Sequence, residues 1–179
     1  NIDWIIASPT TFSFETEDDI TNYLNTIIRI ISQINKSKTI VYKSHNGNKH
    51  DYLDKYSRLI RLIPNSYIII KLLNILKIIS PKKIRKILTI IINGLLHKKI
   101  KKRVIELSEI SNYHYLAIEA FIPKVKEGII GGNSNVMWGA SFYKKNYLNC
   151  VKPKEDNNKL NKADLLLNLN LSYFGIPYC

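Results

Sequence analysis

The sequence predicts an α/β fold, a parallel sheet with helices on both of its faces. Two observations carry that expectation. Short apolar runs alternate with longer segments of helical periodicity, and the runs are apolar almost continuously, not at every second position. Strands covered by helices on both sides read this way.

Taken in order, Asp3 to Ala7 is a buried strand that closes on the polar loop Ser8-Pro9-Thr10-Thr11. Glu17, Asp18 and Asp19 then lead into Ile20, Leu24, Ile27, Ile28, Ile31 and Ile34. That spacing is helical, with acids in the first turn where the helix dipole favours them. Lys38 to Tyr42 is a second strand, closing on Lys43-Ser44-His45-Asn46-Gly47. Strand, helix, strand in succession make one βαβ unit with a right-handed crossover.

From Leu59 to Arg103 the texture changes. Lys71, Asn74, Lys77 and Ser80 recur every three residues through an apolar run, a narrow polar stripe along one helix. Pro81 opens a second helix, with Lys82, Lys83, Arg85 and Lys86 in its first two turns and the basic cluster His97 to Arg103 at its end. Residues 59–103 are therefore expected to form a basic helical hairpin inserted between the second and third strands. Such a face can meet a membrane surface or a partner. The plainer and preferred reading is an ordinary helical pair packed on the sheet with its lysines in water.

The alternation then resumes. Val104 to Leu107 is a third strand, and Ser111 to Lys126 a helix broken around Pro123. Gly128 to Ile130 is a fourth strand, running into Gly131-Gly132-Asn133-Ser134-Asn135. Val136 to Tyr143 is a helix, Tyr147 to Val151 a fifth strand, Lys152 to Lys162 a charged loop and Ala163 to Leu171 a leucine-rich helix. Ile5, Ile40, Ile105, Ile129 and Leu148 are expected on central strands.

A chain of 179 residues, 45% of them hydrophobic, supports one core, so residues 1–179 are read as a single domain. Because Asn1 runs at once into a strand-like segment, a piece of a longer, two-domain protein is expected. The net charge of +13 would ordinarily point to nucleic acid or an anionic membrane. The abundance of Ile, Lys, Asn and Tyr, however, is what AT-rich codons produce, so much of the lysine excess can be a solvated surface. Cys150 and Cys179 have no metal-ligand or disulfide spacing and are read as reduced thiols of a cytoplasmic protein. There is no secretory signal and no charge-free run of about 18 apolar residues, so no transmembrane helix is expected.

Ligands of open parallel sheets bind at the carboxyl ends of the strands. Three polar loops fall there: Ser8 to Thr11, Lys43 to Gly47 and Gly131 to Asn135. In the third, Gly131 and Gly132 let backbone approach a ligand, and Ser134 at a helix N-cap suits a phosphate; a tight turn with an ordinary serine cap is the plain alternative. In the second, Lys43 and His45 face the same way at a strand end, and His45 can donate to a phosphate oxygen. Glu119 can accept both ribose hydroxyls, or be a solvated helix residue. His50, His97 and His114 are assigned no role. The spaced glycines of dinucleotide-binding domains and the P-loop pattern are absent.

The order of strand, Lys43-Ser44-His45, insertion, strand, Glu119 with Ile122-Pro123, strand and Gly131-Gly132-Asn133-Ser134 resembles the C-terminal, donor-binding half of GT-B glycosyltransferases. It looks most like bacterial sialyltransferases, polysialyltransferases and related capsule and lipooligosaccharide enzymes. The resemblance implies a Rossmann-like domain that binds a nucleotide-activated sugar, a CMP-sugar such as CMP-sialic acid being favoured. Ser8, Thr10, His45, Ser134 and Asn135 would hold the phosphate, with Lys43, Gly131 and Gly132 beside them and Glu119 on the ribose. His45, in the catalytic role, would stabilise the leaving phosphate. Transfer would be inverting, with no metal and no cofactor. Asn46 stands where the family has Pro, and Asn135 where it has a second Ser or Thr. The family's acidic motif has no match, since Asp18-Asp19 is followed by Ile20. The glycan acceptor and general base are therefore expected on a missing N-terminal half, leaving this chain alone inactive. The implied location is cytoplasmic, or peripheral on the inner face of the bacterial inner membrane.

Two other classes stay open. One is a basic nucleic-acid-binding module, disfavoured because the aromatic residues are not interleaved with the lysine clusters. The other is a membrane or interaction domain working through residues 59–103.

Overall fold

The computed structural model describes residues 2–8, 14, 16–43, 57–64, 66–132 and 136–150. Five strands form one sheet: β1 (Ile2–Ala7), β2 (Ile40–Lys43), β3 (Ile105–Glu106), β4 (Val125–Gly131) and β5 (Asn146–Asn149). Their order is β3-β2-β1-β4-β5, and every pairing is parallel. The first half of the chain thus builds outward from β1 in one direction and the second half in the other. This is the doubly wound, Rossmann-like arrangement.

Alternation along the strands sends side chains into two cores. Ile6, Ile40, Tyr42 and Ile130 enter one, with α1 (Glu17–Gln33), α2 (Ser57–Leu62), α3 (Tyr67–Ile79) and α4 (Lys82–Lys101). Ile5, Val41, Ile129 and Tyr147 enter the other, with α5 (Leu107–Ile110), the 3-10 turns Ile118–Ala120 and Ile122–Lys124, and α6 (Val136–Phe142). Helical segments therefore cover both faces, the first far more thickly.

Local chemistry sets the helix ends. Thr16 caps α1 reciprocally with Asp19, each side chain accepting from the other's backbone N–H at 3.2 and 2.9 Å. Inside, Thr21 of α1 donates to Asn93 Oδ1 of α4 at 2.6 Å, while Asn93 Nδ2 donates to the Glu17 carbonyl. This buried polar link sets the register of the two helices. At the amino edge of the sheet, Glu127 of β4 accepts from Trp4 Nε1 at 2.6 Å and pairs with Lys38. Lys38 holds the Glu127 carboxyl below its ordinary range, and Glu127 in turn raises the Lys38 ammonium.

Several expectations are corrected. No α-helix spans Ser111 to Lys126. Leu107–Ile110 is one short turn, and two 3-10 turns follow, the second carrying Pro123 at its start. Proline lacks the N–H a longer helix would use, and only Phe121, Ile122 and Val125 between Ser111 and Lys126 are buried. β4 begins at Val125, three residues early, because buried Val125 pairs with Ile2. Ile105 and Leu148 lie on the two edge strands, not central ones, and Ile105 is exposed. The end of α2 and then α3 and α4 occupy residues 59–103, and α4 packs as the plainer reading has it: Thr89 to Leu96 are buried, and the helix lies along α1. The loop Lys152 to Lys162 and the helix expected at Ala163 to Leu171 lie outside the described residues. No helix among the described residues is long and apolar enough to cross a membrane.

Gly128 is where β4 can be squeezed between β1 and β5. A Cβ there would sit 2.7 Å from the Asn146 carbonyl oxygen and 2.7 Å from the Trp4 ring. The carbonyl belongs to a paired strand and cannot move aside. Gly128→Ala should therefore destabilise the domain by about 1–3 kcal/mol, read from urea unfolding; an unchanged midpoint would contradict this packing.

Candidate ligand edge of the sheet

The strand order reverses between β1 and β4, and doubly wound sheets that bind ligands do so beyond the carboxyl ends of the strands at such a point. The register aligns one row across four strands at that edge: Lys43 pairs with Ala7, Ala7 with Gly131, and Gly131 with Asn149. Strand alternation places all four on the face of Ile5, Val41 and Ile129. The centre of the row is Ala and Gly, with Lys43 at one end and Asn149 at the other. The two central residues are small, and the Tyr147 hydroxyl packs into the space beside Gly131.

Backbone bonds hold the edge together. The Ser8 N–H donates to the Lys43 carbonyl at 3.1 Å, and the Cys150 N–H donates to the Gly131 carbonyl at 2.6 Å. Tyr23 of α1 donates to the Ala7 carbonyl at 3.4 Å, and the Tyr147 hydroxyl donates to the Gly132 carbonyl. Cys150 is buried and its thiol is not in a disulfide.

The sequence-predicted site residues fare differently. Ser8, Lys43, Gly131 and Gly132 are brought to this one edge from three separate loops. Thr10, His45, Ser134 and Asn135 lie outside the described residues. Glu119 is exposed on a 3-10 turn of the connection to β4 and is not in the row. Gly131 has a duty the sequence did not disclose: its missing Cβ would lie 2.9 Å from the Tyr147 hydroxyl. The glycine makes room for Tyr147 on that face, and Tyr147 in return braces the Gly132 backbone. Asn149 and Tyr147 read in sequence as ordinary strand residues, and the complete burial of Asn149 is set by tertiary packing. His97 packs edge-on against Tyr42 with ring centroids 5.6 Å apart, as befits a structural residue.

Lys43 is nearly buried, and that burial holds its ammonium below the ordinary lysine value. A lowered folded-state pKa means the protonated lysine opposes folding, and the opposition fades as pH climbs from the lowered value to the unfolded one near about 10.4. The parent should accordingly gain stability relative to Lys43→Met as pH rises from neutral toward that value. A gap in urea midpoints that stays constant or moves the other way would refute it. A second measurement concerns the glycine. Gly131→Ala should cost less in a Tyr147→Phe background than in the parent, with a coupling within about 0.5–3 kcal/mol; strict additivity would place the added methyl in open space.

No protein-family model, curated protein or solved structure matches this chain.

Proposed function

We propose that this domain binds a nucleotide-activated sugar at the carboxyl edge of its sheet, as the donor half of a sugar transferase. The observation that carries the proposal is the row Lys43–Ala7–Gly131–Asn149 at the point where the strand order reverses. A phosphate there meets a cation whose burial strengthens its pull on an anion. Asn149, at the other end of the row, carries both donor and acceptor atoms. Transfer of a sugar, with a CMP-sugar as the favoured donor, rests on the motif order Lys43-Ser44-His45 and Gly131-Gly132-Asn133-Ser134. In this reading His45 steadies the charge growing on the leaving phosphate, and the glycan acceptor sits on a partner half. The protein works on the cytoplasmic side, peripheral on the inner face of a bacterial membrane.

The test is a nucleotide titration on folded variants. A hydrogen bond to a charged group is worth about 1.5–3 kcal/mol, and about 1.4 kcal/mol is ten-fold in affinity. His45→Ala should therefore weaken binding of a cytidine or uridine nucleotide by about ten-fold or somewhat more. Ser134→Ala should cost slightly less, because backbone N–H groups remain. Since His97 packs on Tyr42, the exposed His114→Ala is the control, with unchanged affinity. Parent-like binding by His45→Ala, or no cytidine or uridine nucleotide bound by the parent, would defeat the transferase reading.

A further inference from the structure

α3 is apolar on nearly every side. Its inner side carries Ile70, buried in the core with Ile69 and Leu73 packed against it, and Lys77, which pairs with Asp18 at the start of α1. A second apolar side turns out. Ile68, Leu72, Ile75, Leu76, Ile78 and Ile79 are between 47% and 74% exposed, so at least half of most of these side chains faces solvent. Lys71 is the one charged residue on that side of the helix. Contiguous exposed apolar surface of this kind marks an interaction face, not chance.

The neighbouring end of α4 is strongly basic. The Thr21–Asn93 bond sets the register of α1 and α4, which run the same way because each leads into a strand of one parallel sheet. Thr89 is then level with Glu17, and the first residues of α4 continue past the start of α1 by about 10 Å at 1.5 Å per residue. Lys82, Lys83, Arg85 and Lys86 are all exposed there, with Ile84 and Ile87 half exposed among them. Arg85 also donates to the Ile78 and Ser80 carbonyls, fastening the two helix ends together. Between Asp54 and Glu106 the sequence contains no acid at all, yet it holds fourteen of the chain's 27 Lys and Arg.

We infer that the outer face of α3 and the basic start of α4 form a docking surface for an anionic lipid bilayer, with α3 lying in the interface. The occupant follows from the charge. An apolar strip bordered by cations, with the neighbouring Asp18 already paired to Lys77, matches acyl chains beneath anionic headgroups. A protein partner or second copy would have to bring its own acids to this rim, and a second copy's α3 and α4 would bring only more cations. The inference is independent of nucleotide binding.

The experiment is cosedimentation with vesicles of pure phosphatidylcholine and of phosphatidylcholine with phosphatidylglycerol in equal parts. The parent should partition onto the mixed vesicles and far less onto the neutral ones. Each cation near an anionic surface is worth about five-fold in partitioning, so changing Lys82, Lys83, Arg85 and Lys86 together to Gln should weaken it by roughly several hundred-fold. A second variant, Ile68→Gln, Leu72→Gln, Ile75→Gln and Ile79→Gln, keeps helix propensity at exposed positions. It should remain folded by circular dichroism and lose vesicle binding, while nucleotide affinity stays at the parent level in both variants. Failure of the parent to bind mixed vesicles overturns the inference, as does vesicle binding that survives the apolar substitutions. Sedimentation showing a dimer that the apolar substitutions dissociate would assign the face to a second copy instead. Protection of Ile68 to Ile79 from labelling in the lipid-free monomer would assign it to another segment of this chain.

Discussion

β1 lies at the middle of the sheet, with a strand on each side and a helical layer on each face, and the remaining elements are arranged by what that position demands. Ile5 and Ile6 point in opposite directions and both are completely buried, so neither face of β1 can be left uncovered. Backbone groups on both of its edges need partners as well, and β2 and β4 supply them. Because both neighbours are parallel to β1, each is reached by a crossover, and those crossovers are the covering layers. The same geometry reverses the strand order between β1 and β4, since the chain departs from them toward opposite halves of the sheet. Any ligand edge in this molecule is a consequence of where β1 had to go.

The positive charge has more than one use. Lys98 reaches toward the carbonyls of Ile60, Arg61 and Ile63 at the end of α2, and Arg103 donates to those of Asn35 and Lys38 after α1. Carbonyls at helix ends lack intrahelical donors and carry the negative end of the helix dipole, so cations there stabilise the fold. Lys77 and Lys101 pair with Asp18 and Glu106. These cations hold helices together, whereas those at the start of α4 face outward. Codon bias can account for an excess of lysine, but not for which ones find carbonyls.

The central strands were legible because a strand buried on both sides leaves a nearly continuous apolar run, as β1, β2 and the Gly128–Ile130 part of β4 do. α1 was legible in its spacing together with the acids of its first turn. The stretch 111–126 was not, because Leu116, Ile118, Ala120 and Phe121 can be read as helical, while the burial that decides the matter is supplied by α6 and β4. Of the candidate site, Ser8, Lys43, Gly131 and Gly132 could be found as loop residues following strands. Asn149 could not, since nothing near it in sequence distinguishes it from any other residue of a short strand.

What the sequence alone determined is local in origin: the apolar runs, the helical periods, the Thr16 cap, and the alternation that makes the sheet parallel with helices on both faces. Those follow from each segment's own side chains and backbone. Tertiary structure alone decided the order β3-β2-β1-β4-β5, the row that brings Lys43 within three strands of Asn149, and the duty of Gly131 toward Tyr147. It also decided which side of α3 is covered. Taken by itself, that helix is apolar on nearly every side, and the choice is made by the core that takes Ile70 and by Asp18, 59 positions from Lys77, which holds Lys77 against the start of α1.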